Sequence, residues 1–158
     1  MDQKITINYQ RFEHWKELGV KEQELVAKAY EICDTAYAPY SKFHVGAAVL
    51  LSNNEIITGS NQENIAYPSG LCAERVALFY VGSNYPNDTV KTICVVAKGE
   101  LLPVDKILSP CGGCRQVMLE TEMRQKTPYK VILVSQNGVT LVFNSAEELL
   151  PLAFGVSE

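Results

Sequence analysis

Three cysteines in two short segments constrain this chain more than any other feature. They are Cys72-Ala73-Glu74 and Pro110-Cys111-Gly112-Gly113-Cys114. Zinc takes thiolates readily, and a catalytic zinc keeps three protein ligands and leaves a fourth position for water. Both segments open predicted helices, where unpaired amides and partial positive charge favour thiolate over thiol. A predicted strand lies between them. Two helices leaving parallel neighbouring strands start at one edge of a sheet, the edge where open α/β sheets bind ligands. The expected fold must bring three sulfurs together there.

The rest of the chain supplies the layers. Apolar residues Leu25, Val26, Ala29, Ile32, Cys33 and Ala36 fall at helical spacing and predict a helix over 21–37, ended by Pro39. Val45–Leu51 and Glu55–Thr58 predict a hairpin about Ser52-Asn53-Asn54. A helix over 72–80, a strand over 90–97 and a helix over 110–124 follow. Tyr129–Val134 and Val139–Phe143 form strands joined by Asn137-Gly138, a strong hairpin signal. Ser145-Ala146-Glu147-Glu148 predicts a capping box for a short last helix. Residues 3–9 alternate loosely and predict a strand. The expected architecture is a three-layer α/β/α sandwich with a mixed central sheet, partly parallel in the middle. Residues 1–20 read as an extension of unassigned role, and 21–158 as one catalytic domain.

Composition narrows the partners. Fourteen Lys and Arg face eighteen Asp and Glu, for a net charge of -4, and no basic stripe stands out. A grip on a long polynucleotide needs such a patch, so a small-molecule substrate is expected. No apolar run spans a bilayer, and no apolar h-region follows Met1-Asp2-Gln3-Lys4-Ile5, so the expectation is a cytoplasmic protein without membrane contact. Five cysteines in such a chain read as ligands, nucleophiles or buried residues rather than disulfides.

Three thiolates outweigh the charge of Zn²⁺, which works against a Lewis acid. The helix N-termini drain part of that charge, and Arg75 is placed to donate to a sulfur from outside the ligand set. Glu74, two residues after Cys72, can reach the open metal position in a first helical turn and carry a proton there.

These segments resemble the cytidine deaminase superfamily, whose H-x-E and P-C-x-x-C signature appears here in its all-cysteine form. Ala38-Pro39-Tyr40-Ser41-Lys42-Phe43 through Gly46-Ala47-Ala48 resembles the family's substrate wall. Asn61-Gln62-Glu63-Asn64 resembles its ribose-binding segment, and Glu148-Leu149-Leu150-Pro151 with Phe154 its C-terminal segment. The likeness runs from about Glu24 to Phe154. It implies one Zn²⁺ per subunit on Cys72, Cys111 and Cys114, and Glu74 as the catalytic proton carrier. It also implies ribose contacts from Asn61 and Glu63, nucleoside packing by Phe43, and a pyrimidine carbonyl held by the Ala73 amide. Tyr67 and Phe154 resemble residues that reach substrate across a subunit boundary, and Gln116, like Arg75, would support the zinc. The implied enzyme is a homotetramer with inter-subunit sites, deaminating free cytidine and deoxycytidine in pyrimidine salvage. Pro68-Ser69-Gly70-Leu71 and a lengthened Gly99–Leu108 segment depart from the family pattern.

Plainer readings stand beside these. Cys-x-x-Cys at a helix start also suits a redox pair. A structural zinc needs a fourth protein ligand, for which Cys33, Cys94, His14 and His44 are the candidates. Arg75 suits a surface ion pair, Asn61 and Glu63 suit loop ordering, and Phe154 suits core filling. Rival functions are deamination of another aminated nucleoside such as a nucleoside antibiotic, deamination within RNA or DNA, and a zinc-stabilised binding protein without turnover.

Overall fold

The structure is a computed structural model, and it describes residues 1–155. Six strands form one sheet: β1 (Gln10–Phe12), β2 (His44–Leu51), β3 (Ile56–Ser60), β4 (Val90–Lys98), β5 (Lys130–Val134) and β6 (Thr140–Phe143). Three α-helices accompany them: α1 (Val20–Cys33), α2 (Ala73–Asn84) and α3 (Gly112–Gln125). The spatial order is β1-β6-β5-β4-β2-β3. Only β4 and β5 pair in parallel, across the α3 crossover; the other neighbours are antiparallel.

Side chains alternate across this sheet with the period of two that strands impose. Cys94, Val96, Ile132, Val134 and Val142 face α1, packing on Leu25, Val26 and Ala29. Ile93, Val95, Val131, Leu133 and Phe143 face the opposite way, toward Ala77, Leu78 and Met118 of α2 and α3. The expected three-layer α/β/α sandwich is thus formed, with one helix on one face and two on the other.

Two glycines set how closely the helices lie. A Cβ on Gly46 would stand 2.0 Å from the Ala29 carbonyl oxygen, so α1 rests directly on β2. A Cβ on Gly59 would stand 2.7 Å from the Ala77 amide and 2.9 Å from the Ala73 carbonyl oxygen, so α2 rests on β3.

Several elements differ from expectation. The first strand is 10–12 rather than 3–9, because pairing is set by the partner: Gln10 lies opposite Val142, and β6 ends one residue later. Helix α1 ends at Cys33, not at 37. The chain then peels away, so that Tyr37 pairs as extended backbone with Gln62 ahead of Pro39. The strands feeding α2 and α3, β3 and β4, run in the same direction but are not neighbours; β2 lies between them. The last helix is a single 3-10 turn, Ala146–Leu149. Ser145 caps it by accepting from the Glu147 amide at 3.1 Å, but Glu148 does not close the expected box. Its carboxylate accepts instead from the Asn8 amide at 2.8 Å. The buried Glu122 of α3 serves that end of the chain, accepting from the Ala146 amide at 2.8 Å and from the Ser145 hydroxyl.

Candidate active site

Because β3 and β4 run the same way, α2 and α3 both begin at one edge of the sheet. Cys72 is the N-cap of α2 and Cys111 the N-cap of α3. Their sulfurs stand 3.8 Å apart. With Cys114, in the first turn of α3, the three sulfurs all lie within 4.8 Å of one another. The Cys111 sulfur accepts from the Cys114 amide at 3.4 Å. This donor set fits zinc: three soft sulfurs converge at two positive helix ends, and no fourth Cys, His, Asp or Glu joins the cluster among the described residues. Cys33 and Cys94 are buried on the α1 side of the sheet. His14 caps a 3-10 turn (Trp15–Glu17) in the N-terminal extension. None of these, nor His44, completes a closed structural site.

The charges around the sulfurs are uneven. Hydrogen bonding from Cys114 drops the Cys72 thiol to about 5; burial opposes this and the Arg75 guanidinium assists it. The same contact, together with burial and the neighbouring Glu74 carboxylate, pushes Cys114 up. Arg75 donates through Nη2 to the Cys72 sulfur at 3.5 Å, as expected of a residue that offsets thiolate charge. Its Nε is buried without a hydrogen-bond partner, the one such side-chain atom among the described residues. Glu74 is buried, 5% exposed, and desolvation pushes its carboxyl up to about 7.

Beside the sulfurs opens a cleft of about 400 Å³. That lies within the roughly 300–1,000 Å³ of small-molecule sites. Asn61, Glu63, Tyr67, Cys72 and Arg75 line it, as do Tyr40 and Ser41. Asn61 carries the chain from β3 into the cleft. Its Oδ1 accepts from the Val45 amide at 2.8 Å, and its Nδ2 donates to the Phe43 carbonyl at 2.9 Å, leaving a second N–H on Nδ2. Glu63 accepts from the Tyr40 amide at 2.9 Å, the Ser41 amide at 3.2 Å and the Ser41 hydroxyl. Desolvation works against its charge, but these donors hold its carboxyl below the usual range. The turn they fasten contains Lys42 at φ 53, a left-handed conformation that a lysine adopts only when held. Ser41 falls in the segment that resembles the family's substrate wall, but nothing in its neighbours Tyr40 and Lys42 signals that the Glu63 carboxylate would bind it.

The structure brings together Cys72, Cys111, Cys114, Glu74 and Arg75 at the helix ends, with Asn61, Glu63 and Tyr67 around the cleft. Ala73, fully buried, places its backbone amide in the first turn of α2, where helical amides lack an intrahelical partner. Two expected residues lie elsewhere. Phe43 is 8% exposed within the core, and Phe154 is 87% exposed near the chain end. Neither lines the cleft of this subunit. Gln116 donates to the Phe154 carbonyl at 3.0 Å rather than to a sulfur.

Residues 20–129 match the family described as the cytidine and deoxycytidylate deaminase zinc-binding region. The chain belongs to that deaminase family. A cytidine deaminase of Halalkalibacterium halodurans is 44% identical over 132 residues, 84% of this chain and 92% of the relative. The crystal structure of a cytidine deaminase from Burkholderia pseudomallei superposes with a TM-score of 0.71 at 36% identity, covering 84% of this chain and 98% of that one. A blasticidin-S deaminase of Bacillus cereus is 33% identical over 140 residues, 87% of this chain and 94% of the relative. In this deaminase the family match takes in both cysteine segments and the cleft, while residues 1–19, with β1, and those after 129, with β5 and β6, fall outside it.

Proposed function

We propose that the chain hydrolyses free cytidine and deoxycytidine to uridine and deoxyuridine, releasing ammonia, as a cytoplasmic enzyme of pyrimidine salvage. The observation that carries this reading is the buried Glu74 carboxyl, in the first turn of α2 directly after Cys72, whose sulfur converges with those of Cys111 and Cys114 from α3 beside a cleft lined by Asn61 and Glu63. Cys72, Cys111 and Cys114 would hold one zinc ion per subunit. Bound there, zinc supplies a Lewis acid that lets water ionise near neutral pH. Glu74, its carboxyl raised to about 7, is matched to both taking and returning a proton at that pH. It accepts a proton of the attacking water and gives it to ring N3, then takes the remaining proton of the hydroxyl newly bonded to C4 and passes it to the departing amine, which leaves as ammonia. Arg75 offsets the thiolate charge through Cys72. Asn61 and Glu63 offer a donor and an acceptor to ribose hydroxyls, and the Ala73 amide offers a donor to the pyrimidine carbonyl.

Tyr67 and Phe154 are 77% and 87% exposed, large apolar surfaces that a neighbouring subunit would cover. We read the working form as a homotetramer in which they reach into a partner's cleft, with Phe43 packing toward the nucleoside. No helix among the described residues is long and apolar enough to cross a membrane, and the net charge of -4 argues against polynucleotide substrates. The segment 1–20 reads as a cover for the β6 edge rather than as a separate unit.

Loss of cytidine absorbance in the ultraviolet tests the reading, alongside zinc content, sedimentation and a Glu74→Ala control. Turnover that vanishes in the variant while zinc stays bound supports it. A zinc-loaded, folded protein that leaves cytidine and deoxycytidine untouched sinks it, and turnover of blasticidin S instead would assign the site to a nucleoside antibiotic.

A further inference from the structure

The three sulfur donors are not equally supported by packing. Cys114 is fully buried. Cys72 begins a helix that is pressed against β3 at Gly59. Cys111 is exposed. It is followed by Gly112, whose Cβ would meet nothing within 4 Å, and by Gly113, whose Cβ would reach only the Cys111 sulfur itself at 4.0 Å. Gly112 and Gly113 thus give the first turn of α3 no side-chain packing to hold Cys111 in place. Something else must fix this ligand.

Arg115 stands at the wrong end of α3 for a cation, since the helix N-terminus carries positive partial charge. Its guanidinium folds back over that end. Nε donates to the Pro110 carbonyl at 3.0 Å and Nη2 to the Ser109 hydroxyl at 2.5 Å. Nη1 donates to the Leu149 carbonyl at 2.9 Å, 34 residues further along the chain. The Pro110 carbonyl belongs to the same planar peptide as the Cys111 nitrogen, so the first bond fixes the orientation of the ligand's own backbone. Seven residues later, on the same face of α3, Glu122 grips the Ala146 amide of that C-terminal segment.

We propose that Arg115 is a positioning residue for the metal site, clamping Ser109–Cys111 to the C-terminal segment so that the Cys111 sulfur is held where it ligates. The planar fork matters as much as the charge, because one side chain must serve three acceptors that belong to two separate stretches of chain. The proposal rests on the zinc reading given above.

Zinc release to a chromogenic chelator tests it, with zinc-loaded wild type, Arg115→Ala, Arg115→Lys, Ser109→Ala and the Ser109→Ala/Arg115→Ala double variant. Thermal melting is recorded in parallel. Outer-shell partners of metal ligands are worth about 10–100-fold in metal affinity, so Arg115→Ala should release zinc faster by about that factor. Arg115→Lys should fall between it and wild type. Ser109→Ala should show a smaller acceleration that disappears in the Arg115→Ala background. A folded Arg115→Ala protein that releases zinc at the wild-type rate overturns the proposal, as does a drop in melting temperature with unchanged release. Should Arg115→Ala not fold, wild-type release from both Arg115→Lys and Ser109→Ala overturns it equally. Wild-type protein that binds no zinc would instead defeat the underlying zinc reading, which keeps the two failures apart.

Discussion

Replacing Gly59 by alanine places a methyl group where there is no room for one. The new Cβ would lie 2.7 Å from the Ala77 amide nitrogen, 2.9 Å from the Ala73 carbonyl oxygen and 3.1 Å from Val76 Cγ1. Ordinary contact begins at 3.4 Å, and two of the three neighbours are backbone atoms of α2, which no rotamer change can move. The helix must back away from β3 by more than half an ångström. Its first residue follows Cys72 directly, so the displacement reaches the metal site, where ligand distances tolerate only about 0.2 Å. Overpacking of this kind costs about 1–3 kcal/mol. For a chain of this length that is about 2–12 °C in melting temperature. Taken up at the metal, the same energy is about 5- to 150-fold in zinc affinity. Gly112→Ala is the control: it sits next to Cys111, yet its Cβ would meet nothing within 4 Å. Differential scanning calorimetry and zinc content of the purified proteins read the outcome. Gly59→Ala should melt lower and hold less zinc, while Gly112→Ala keeps both within error of wild type. A Gly59→Ala protein with wild-type melting and zinc content would refute the idea that helix approach at β3 sets the position of Cys72.

Further outcomes follow from the charges and thiols. Glu74→Gln should retain zinc and lose turnover by about 10²–10⁴-fold. In zinc-stripped protein the same change should alter stability with pH. A buried carboxyl raised to about 7 costs stability as pH climbs from its unfolded value to that point. The variant should therefore exceed wild type by roughly 3 kcal/mol near pH 8 and match it below about pH 4. Urea melts at the two pH values check the sign, and equal stabilities at pH 8 would contradict the desolvation of Glu74. In a thiol titration, chelation should expose Cys72 and Cys111 to reagent, Cys72 fastest because it is held at about 5, with Cys114 following. Cys33 and Cys94 should wait for denaturant; their early reaction would place them wrongly in the core.

Much of the site was legible because its chemistry is local. Cys72-Ala73-Glu74 and Cys111 through Cys114 each occupy a single helical turn, so spacing alone places their side chains. Hairpins with Asn137-Gly138 or Ser52-Asn53-Asn54 announce themselves in the same way. The features that sequence did not yield depend on distant chain. Residues 3–9 alternate as well as 10–12 do, and only the extent of β6 decides which of them pairs. That β2 separates β3 from β4 is a fact of strand order, invisible to local pattern. The roles of Arg115, Glu122 and Ser41 were not legible because their partners include backbone groups or residues far along the chain, which carry no sequence signature.

The pairing of β1 with β6 also fixes an order of events during synthesis. Among the described residues β1 pairs with β6 alone, so Gln10–Phe12 has no neighbour in the sheet until Thr140–Val142 has been made. Through that interval it is a three-residue segment with Arg11 at its centre and Glu13 just beyond it, charges that discourage it from joining a foreign edge. The single tryptophan, Trp15, lies at the same seam, with its ring 6.3 Å from that of Tyr30 and its amide bonded to the Gly138 carbonyl at 3.1 Å. Its fluorescence is thus a built-in clock for the step that closes the sheet, separable from formation of the metal site at the far ends of β3 and β4.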